Sequence, residues 1–241
     1  MKVDVVIPLG RGSRWEDNEL RFCLRALETN FVDLGKVWIV GEKPSWCVGV
    51  QYLRMPDFFL ANKDANLITK VMTACYQHNM SSFFVRASDD EILLRRTRFD
   101  AMKPYHQGEI RHPHGNRWHR RLNRTGRWLR GRGMTAFNYD SHLPAPMERD
   151  RFLDVFNRAS YKKLPGLTID STYFNCCGLQ EHVRLPRRFR FRLDRPVEDT
   201  SRLRRVLRRA HYLNLTNRAT GPTLEQILTE RFPRPSRFEK G

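Results

Sequence analysis

The chain has no apolar run approaching the ~18 residues that a bilayer span needs, so none of its 241 residues is expected to cross a membrane. The opening stretch, Met1-Lys2-Val3-Asp4-Val5-Val6-Ile7-Pro8, carries too short an apolar run for a signal peptide and reads as a strand. Cysteine is scarce and odd in number, five in all, with no Cys-x-x-Cys pair. Cys176 and Cys177 are neighbours, badly placed to share one zinc. These absences argue against a disulfide framework and favour a reduced, cytoplasmic setting. No internal repeat is present, and nothing in the sequence indicates an oligomeric state. Acid is missing altogether from Ile110 to Tyr139. The glycine-bearing loop after the first strand, Pro8-Leu9-Gly10-Arg11-Gly12-Ser13-Arg14, matches neither the Rossmann nor the Walker fingerprint.

What is abundant is positive charge. Lys and Arg number 44 against 26 Asp and Glu, a net charge of +18. Such an excess points to a polyanionic partner: nucleic acid, an acidic glycan or an anionic membrane. The first hundred residues alternate strand-like and helix-like patterns. Strands are expected over Val3–Ile7, Val37–Val40, Val48–Leu53 and Phe83–Val85. Helices are expected over Glu19–Thr29, capped by Asp17 or Asn18, and from Asn62 through Cys75. That order is the pattern of a nucleotide-binding α/β half. One domain over 1–241 is expected, divided into a first half at 1–100 and a second half at 101–241. The second half carries basic insertions at 110–139 and 184–209. Within it a helix is expected over Arg149–Phe156, and a strand or helix entrance at Thr168–Phe174. A half-exposed strand is expected at Arg188–Arg192. A basic helix over Arg202–Arg209 is also compatible with an anionic membrane surface.

Chemistry concentrates in three places. Phe83-Phe84-Val85-Arg86-Ala87-Ser88-Asp89-Asp90-Glu91 runs from an apolar strand into three consecutive acids. Carboxylates at the carboxyl edge of a sheet fit a divalent cation bridging a diphosphate; an acidic helix N-terminus is the plainer alternative. The acid-free segment interleaves Arg117, Arg120, Arg121 and Arg124 with Trp118 and Trp128, broken up by Gly115, Gly126, Gly131 and Gly133. Arginine with aromatics composes a phosphate-tracking, base- or sugar-stacking surface; a solvated charged loop is the alternative. His112, His114 and His119 lie among cations, which opposes a metal ion there. Asp140 and His142, before two prolines, form a catalytic or metal pair.

These pieces resemble one family. Asn18-Glu19-Leu20-Arg21-Phe22-Cys23-Leu24-Arg25 with Val37-Trp38-Ile39-Val40, then Ser88-Asp89-Asp90, Ser141-His142-Leu143-Pro144 and Phe232-Pro233-Arg234-Pro235-Ser236-Arg237-Phe238-Glu239-Lys240 stand in the order of the motifs of Stealth sugar-phosphate transferases. The family opens with a Tyr-Thr-Trp-Val strand and a Gly-Ser-Asp turn, where this chain has Ile7-Pro8-Leu9-Gly10-Arg11-Gly12-Ser13. That start is similar instead to ordinary glycosyltransferases of the A-type fold.

The resemblance implies an α/β, Rossmann-like glycosyltransferase A-type fold, a nucleotide-sugar donor, UDP-linked, and a divalent metal, Mg or Mn, on Asp89 and Asp90. It places donor contacts at Pro8, Gly10, Arg11, Arg14, Arg25, Ser236 and Arg237. Arg21 or Arg25 would stabilise charge on the leaving phosphate. The acceptor hydroxyl needs a base: His142 first, then Asp140 or Asp170, with His142 as a third metal ligand the alternative. Arg117, Trp118, Arg120, Arg121, Arg124 and Trp128 would hold the acceptor. A compact, arginine-loaded transferase fits DNA bearing a hydroxymethylated base, as in bacteriophage DNA modification. A capsule or teichoic-type polymer is the second acceptor. A nucleic-acid binder on a non-catalytic transferase fold is the reading from another class.

Overall fold

The computed structural model describes residues 1–111 and 115–240. In chain order the first half runs β1 (Val3–Leu9), α1 (Asn18–Asn30), β2 (Leu34–Gly41), β3 (Gln51–Arg54), α2 (Lys63–Cys75), β4 (Phe83–Arg86) and β5 (Glu91–Leu93). The second half runs β6 (Tyr105–His106), α3 (Arg117–Arg130), β7 (Ala145–Glu148), α4 (Arg149–Arg158), α5 (Ile169–Cys176), β8 (Val183–Arg184), β9 (Arg190–Leu193), α6 (Thr200–Arg209), β10 (Tyr212–Leu215) and α7 (Pro222–Arg231). The main sheet has the order β3-β2-β1-β4-β7. Its first four strands are mutually parallel and β7 is antiparallel to β4. This is the α/β class expected from the alternating pattern.

β1 is buried along its whole length because both faces of the sheet are covered. Val3, Val5, Ile7 and Leu9 point into one core with α1, while Val6 points into the other with α2. The period of two in the strand thus assigns alternate residues to opposite layers. The first layer also takes in the small β5-β10-β9 sheet, α6, α7 and the C-terminal tail. Phe232 and Phe238 are buried there, as side chains of that size require. The second layer packs α2, α4 and α5 over β4, with Phe84 edge-on to Phe152.

Several local expectations change. Asp17 does not cap α1; it sits in the left-handed region at φ 58 with no capping bond. Ser13 organises that turn instead, accepting from the amides of Trp15 and Asp17 and donating to Glu19. Asn62 does cap α2, accepting from the Ala65 amide. Thr168–Phe174 belongs to a helix, α5, with Thr168 as its N-cap residue. Within the acid-free segment, Arg117–Arg130 is not a broken loop: Gly126 sits inside the continuous helix α3. A Cβ there would come within 2.8 Å of Ile110 Cγ2, so the glycine admits a close neighbour rather than ending the helix.

Candidate active site

α1 and α2 lie on opposite faces of the sheet, and the strand order departs in opposite directions from the β1–β4 pair. The carboxyl ends of β1 and β4 are therefore a topological switch point, where open α/β sheets leave a crevice. A cleft of about 490 Å³ opens there. Its floor and walls come from the end of β1 and the loop after it (Pro8, Gly10, Arg11), the turn after β4 (Ser88, Asp89, Asp90) and the first turn of α2 (Lys63, Asp64). Trp118 and Arg121 of α3 close one side, and Asp140, His142 and Asp170 line the back. In all, eight carboxylates meet five lysines and arginines along this lining, in a chain whose net charge is strongly positive.

The carboxylates are not equivalent. Asp170 is held by Arg86, whose guanidinium bonds both of its oxygens, at 3.2 and 2.5 Å. The same arginine reaches Glu91 at 3.4 Å and donates to the Leu143 carbonyl at 3.1 Å. Arg86 thereby ties the ends of β4 and α5 to the segment after His142. Lys70, buried in the cleft wall, donates to the Leu9 carbonyl and pairs with Asp57 at 2.6 Å. Arg121 approaches Asp64 at 2.9 Å. Asp89 and Asp90, by contrast, form no ion pair among the described residues. Burial, with Glu19 beside Asp89 and Glu91 beside Asp90, pushes Asp89 up to about 6 and Asp90 to about 7.

Two adjacent carboxylates that repel, with no ion pair and only Lys63 opposing their charge from a distance, are a donor set suited to a hard divalent ion. Magnesium-type ions commonly take one or two protein carboxylates and complete their shell with water and substrate phosphates. No group of three or more His, Cys, Asp or Glu side chains converges to form a metal cage among the described residues.

Behind this pair, Asp140 is half-buried, with its Oδ2 shielded from solvent and without a hydrogen-bond partner. Burial, then Asp170 and Asp64, raises its pKa well above the usual carboxylate range. His142 sits at φ 50, with burial and the cations Arg192, Arg190 and Arg86 lowering it to about 4. It is neutral through the physiological range, but a weak proton acceptor there. Asp140 is better matched to a base working near neutrality.

Of the residues singled out from the sequence, the cleft gathers Pro8, Gly10, Arg11, Asp89, Asp90, Trp118, Arg121, Asp140, His142 and Asp170. Arg14 is exposed and outside the lining. Arg21 and Arg25 turn away to Glu239, at 2.8 and 2.7 Å. Ser236 donates to the same carboxylate, and Arg237 pairs with Glu28. None of these four lines the cleft, because a buried acid on the tail claims the first three. On α3, Arg117 donates to the Ala61 carbonyl and Arg124 to that of Ser160, while Arg120 is exposed. Trp128 lies under Arg132, away from the lining. His119 stacks beside Trp118; His112 and His114 lie outside the described residues. Arg86, Lys63, Asp64 and Lys70 were not anticipated. The one available sign was a cation inside an otherwise apolar run, in Phe83-Phe84-Val85-Arg86 and in Ile68-Thr69-Lys70-Val71.

Fold and cleft together define an α/β protein with an acidic, switch-point site. No protein-family model matches the chain, and no curated protein matches it in sequence. Among solved structures it is similar to a glycosyltransferase involved in the glycosylation of the major capsid of PBCV-1, with TM-score 0.43 and 7% identity, over 97% of this chain and 100% of that one. It is also similar to the apo-form glycosyltransferase GlyE of Streptococcus pneumoniae TIGR4, with TM-score 0.37 and 9% identity, over 96% of this chain and 60% of that one.

Proposed function

We propose that the chain is a metal-dependent transferase that moves a sugar or sugar-1-phosphate from a nucleotide-sugar donor to a hydroxyl on a polyanionic acceptor. The observation that carries this reading is the unpaired Asp89–Asp90 couple at the carboxyl end of β4, facing the Gly10–Gly12 loop across the switch point. The order of sequence motifs resembling sugar-phosphate transferases supports the same reading. Asp89 and Asp90 would hold a Mg or Mn ion, which supplies positive charge to the diphosphate oxygens as the donor bond breaks.

The chain's own residues set up the rest. Backbone amides of the Gly10–Gly12 loop and the N-terminal turn of α2, with Lys63, present donors to phosphate. Arg86 fixes the rear wall rather than touching the donor, since Asp170, Glu91 and Leu143 occupy its guanidinium. Asp140 takes the acceptor proton, with His142 beside it orienting the hydroxyl. Trp118 offers a face for a base or sugar ring. DNA with a hydroxymethylated base is the favoured acceptor, and an anionic surface polymer the second.

The test is mass spectrometry of the nucleotide released from a panel of nucleotide sugars with Mn or Mg. Monophosphate release identifies sugar-phosphate transfer, and diphosphate release identifies glycosyl transfer. Failure to release either with metal, donor and both acceptor classes present, while DNA still binds with a steep salt slope, would leave a nucleic-acid binder.

A further inference from the structure

Three of the seven large hydrophobic side chains exposed among the described residues stand on two neighbouring loops. Phe58 is 62% exposed, Leu60 95% and Leu164 62%. The loops 56–62 and 160–166 are tied together: the Asn62 side chain donates to the carbonyls of Tyr161 and Lys162, at 3.1 and 3.3 Å. The N-terminus of α3 is pinned to the same place by Arg117 on the Ala61 carbonyl. These segments also form one lip of the cleft, through Asp57, Lys63 and Trp118.

An isolated exposed leucine is ordinary. A group of large apolar tips held on ordered loops, beside cations, is not. Lys63, Arg117, Lys162 and Lys163 are all exposed around these tips. The two acids on the lip are answered from within, Asp57 by Lys70 and Asp64 by Arg121. The lip therefore shows solvent an apolar tip with a positive surround. Behind Lys162 and Lys163 a second concavity of about 490 Å³ opens between α2 and the end of α4, walled also by Tyr76, Ser160 and Tyr161. A concavity edged by Lys162, Lys163 and the hydroxyl-bearing Tyr76, Ser160 and Tyr161, beside exposed apolar tips, suits a phosphate-bearing lipid headgroup. No helix among the described residues is long and apolar enough to cross a membrane, so attachment here is interfacial.

We propose that this lip docks on an anionic lipid bilayer, with Phe58, Leu60 and Leu164 entering the headgroup–acyl boundary and the surrounding cations meeting lipid phosphates. Docking would bring the cleft mouth to the membrane surface. The proposal stands apart from the transfer chemistry, since its readout needs neither donor nor metal.

The experiment is co-sedimentation of the full chain with vesicles of phosphatidylglycerol and phosphatidylcholine in equal parts, and with vesicles of phosphatidylcholine alone. Binding is expected to the anionic vesicles and not to the neutral ones. Phe58→Ser/Leu60→Ser/Leu164→Ser should lower partitioning by about tenfold or more, and Lys162→Glu/Lys163→Glu by about tenfold. Both variants should keep the parent's melting temperature and its nucleotide-sugar hydrolysis, because none of these side chains lies in the cleft. Equal binding to neutral vesicles, or a serine variant that partitions as the parent does, overturns the proposal. So does loss of duplex DNA binding in the lysine variant without any vesicle binding by the parent, which would assign the lip to nucleic acid.

Discussion

Two regions of the molecule withdraw carboxylates from water and treat them in opposite ways. On the C-terminal tail, Glu239 is buried and receives Arg21, Arg25, the Ser236 hydroxyl and the Ser236 amide. Those hydrogen bonds outweigh its burial and hold it down at about 2. In the cleft, Asp89 and Asp90 have no such partner and are driven up to about 6 and 7. A chain with 44 lysines and arginines has no shortage of cations. The tail shows that a carboxylate here can be fully answered when the fold's stability depends on it. The cleft shows two without an ion pair, opposed only by Lys63, on the wall of a crevice of about 490 Å³. Unpaired charge at that position costs stability, and such strain is tolerated where a ligand relieves it. The tail acid is a structural clasp, and the cleft pair is an unmet demand for positive charge.

The largest expected effect breaks the comparison on the cleft side. Asp90→Asn removes one ligand and one source of repulsion together. Transfer activity should fall by about a thousandfold (~4 kcal/mol), while the fold becomes more stable. The sign follows from linkage. A carboxyl whose folded pKa is raised binds its proton more tightly in the native state. Its contribution to stability is full below the unfolded value of 3.8 and is lost as pH rises through about 7. The asparagine variant should therefore melt higher than the parent at pH 8, by about 1–2 kcal/mol after solvent screening, and match it near pH 4. Manganese should raise the parent's melting temperature at pH 8 and leave that of the variant unchanged. Differential scanning calorimetry across pH, with and without metal, measures all of this. An asparagine variant that keeps full activity, or gains no stability at pH 8, would remove the pair from the site.

The tail should respond with the opposite sign. Glu239→Gln leaves Arg21 and Arg25 without their anion and should destabilise the fold by about 2 kcal/mol at neutral pH. Because the folded pKa is depressed, the stability that Glu239 contributes is present above 4.5 and is lost as pH falls through about 2. The penalty of the glutamine variant should thus shrink on acidification, over a range well below the one that governs Asp90. Urea titrations at pH 7 and pH 3 provide the check. A glutamine variant as stable as the parent at pH 7 would show that the clasp is not holding the tail.

The same contrast explains what could be read from the sequence. Asp89 and Asp90 were legible because their chemistry is local: an apolar strand, then acids, at the edge where α/β sheets bind ligands. Asp140 and His142 were legible as a near-neighbour pair, but their opposite environments were not. Those depend on the desolvation of Asp140 and on Arg190 and Arg192 beside His142, which arrive from β9. Arg21 and Arg25 read as phosphate ligands because their real partner lies 218 and 214 residues away. Arg86 and Lys70 were missed for the same reason. A cation in an apolar run reveals nothing of its partner until β4 meets α5 and α2 meets the end of β1. The β1, α1, β2 and α2 elements followed from hydrophobic periodicity. α3 did not, because its internal glycine reads as a breaker until Ile110 is seen packed against it.

The smallest effect concerns the exterior, where charge meets neither the clasp's anion nor the cleft's acids. The guanidinium groups of Arg120 and Arg127 form no hydrogen bond or ion pair among the described residues, whereas Arg121 is held by Asp64 and Arg124 by the Ser160 carbonyl. On α6, Arg204 pairs with Glu230, but Arg205 and Arg209 are exposed and unpaired among the described residues. Free guanidinium groups can displace counterions from a polyanion; engaged ones cannot do so without first giving up a partner. Arg120→Ala/Arg127→Ala should therefore flatten the dependence of duplex-DNA affinity on salt by about two units of slope, one for each phosphate no longer neutralised. Melting temperature and nucleotide-sugar hydrolysis should not move. Arg205→Ala/Arg209→Ala is the comparison on the opposite layer. If the slope changes for the α3 pair alone, the polymer lies along the cleft side of the molecule, within reach of Asp140 and Trp118. If it changes for the α6 pair alone, DNA is gripped on the far layer, where no cleft residue reaches it, and DNA drops out as the acceptor.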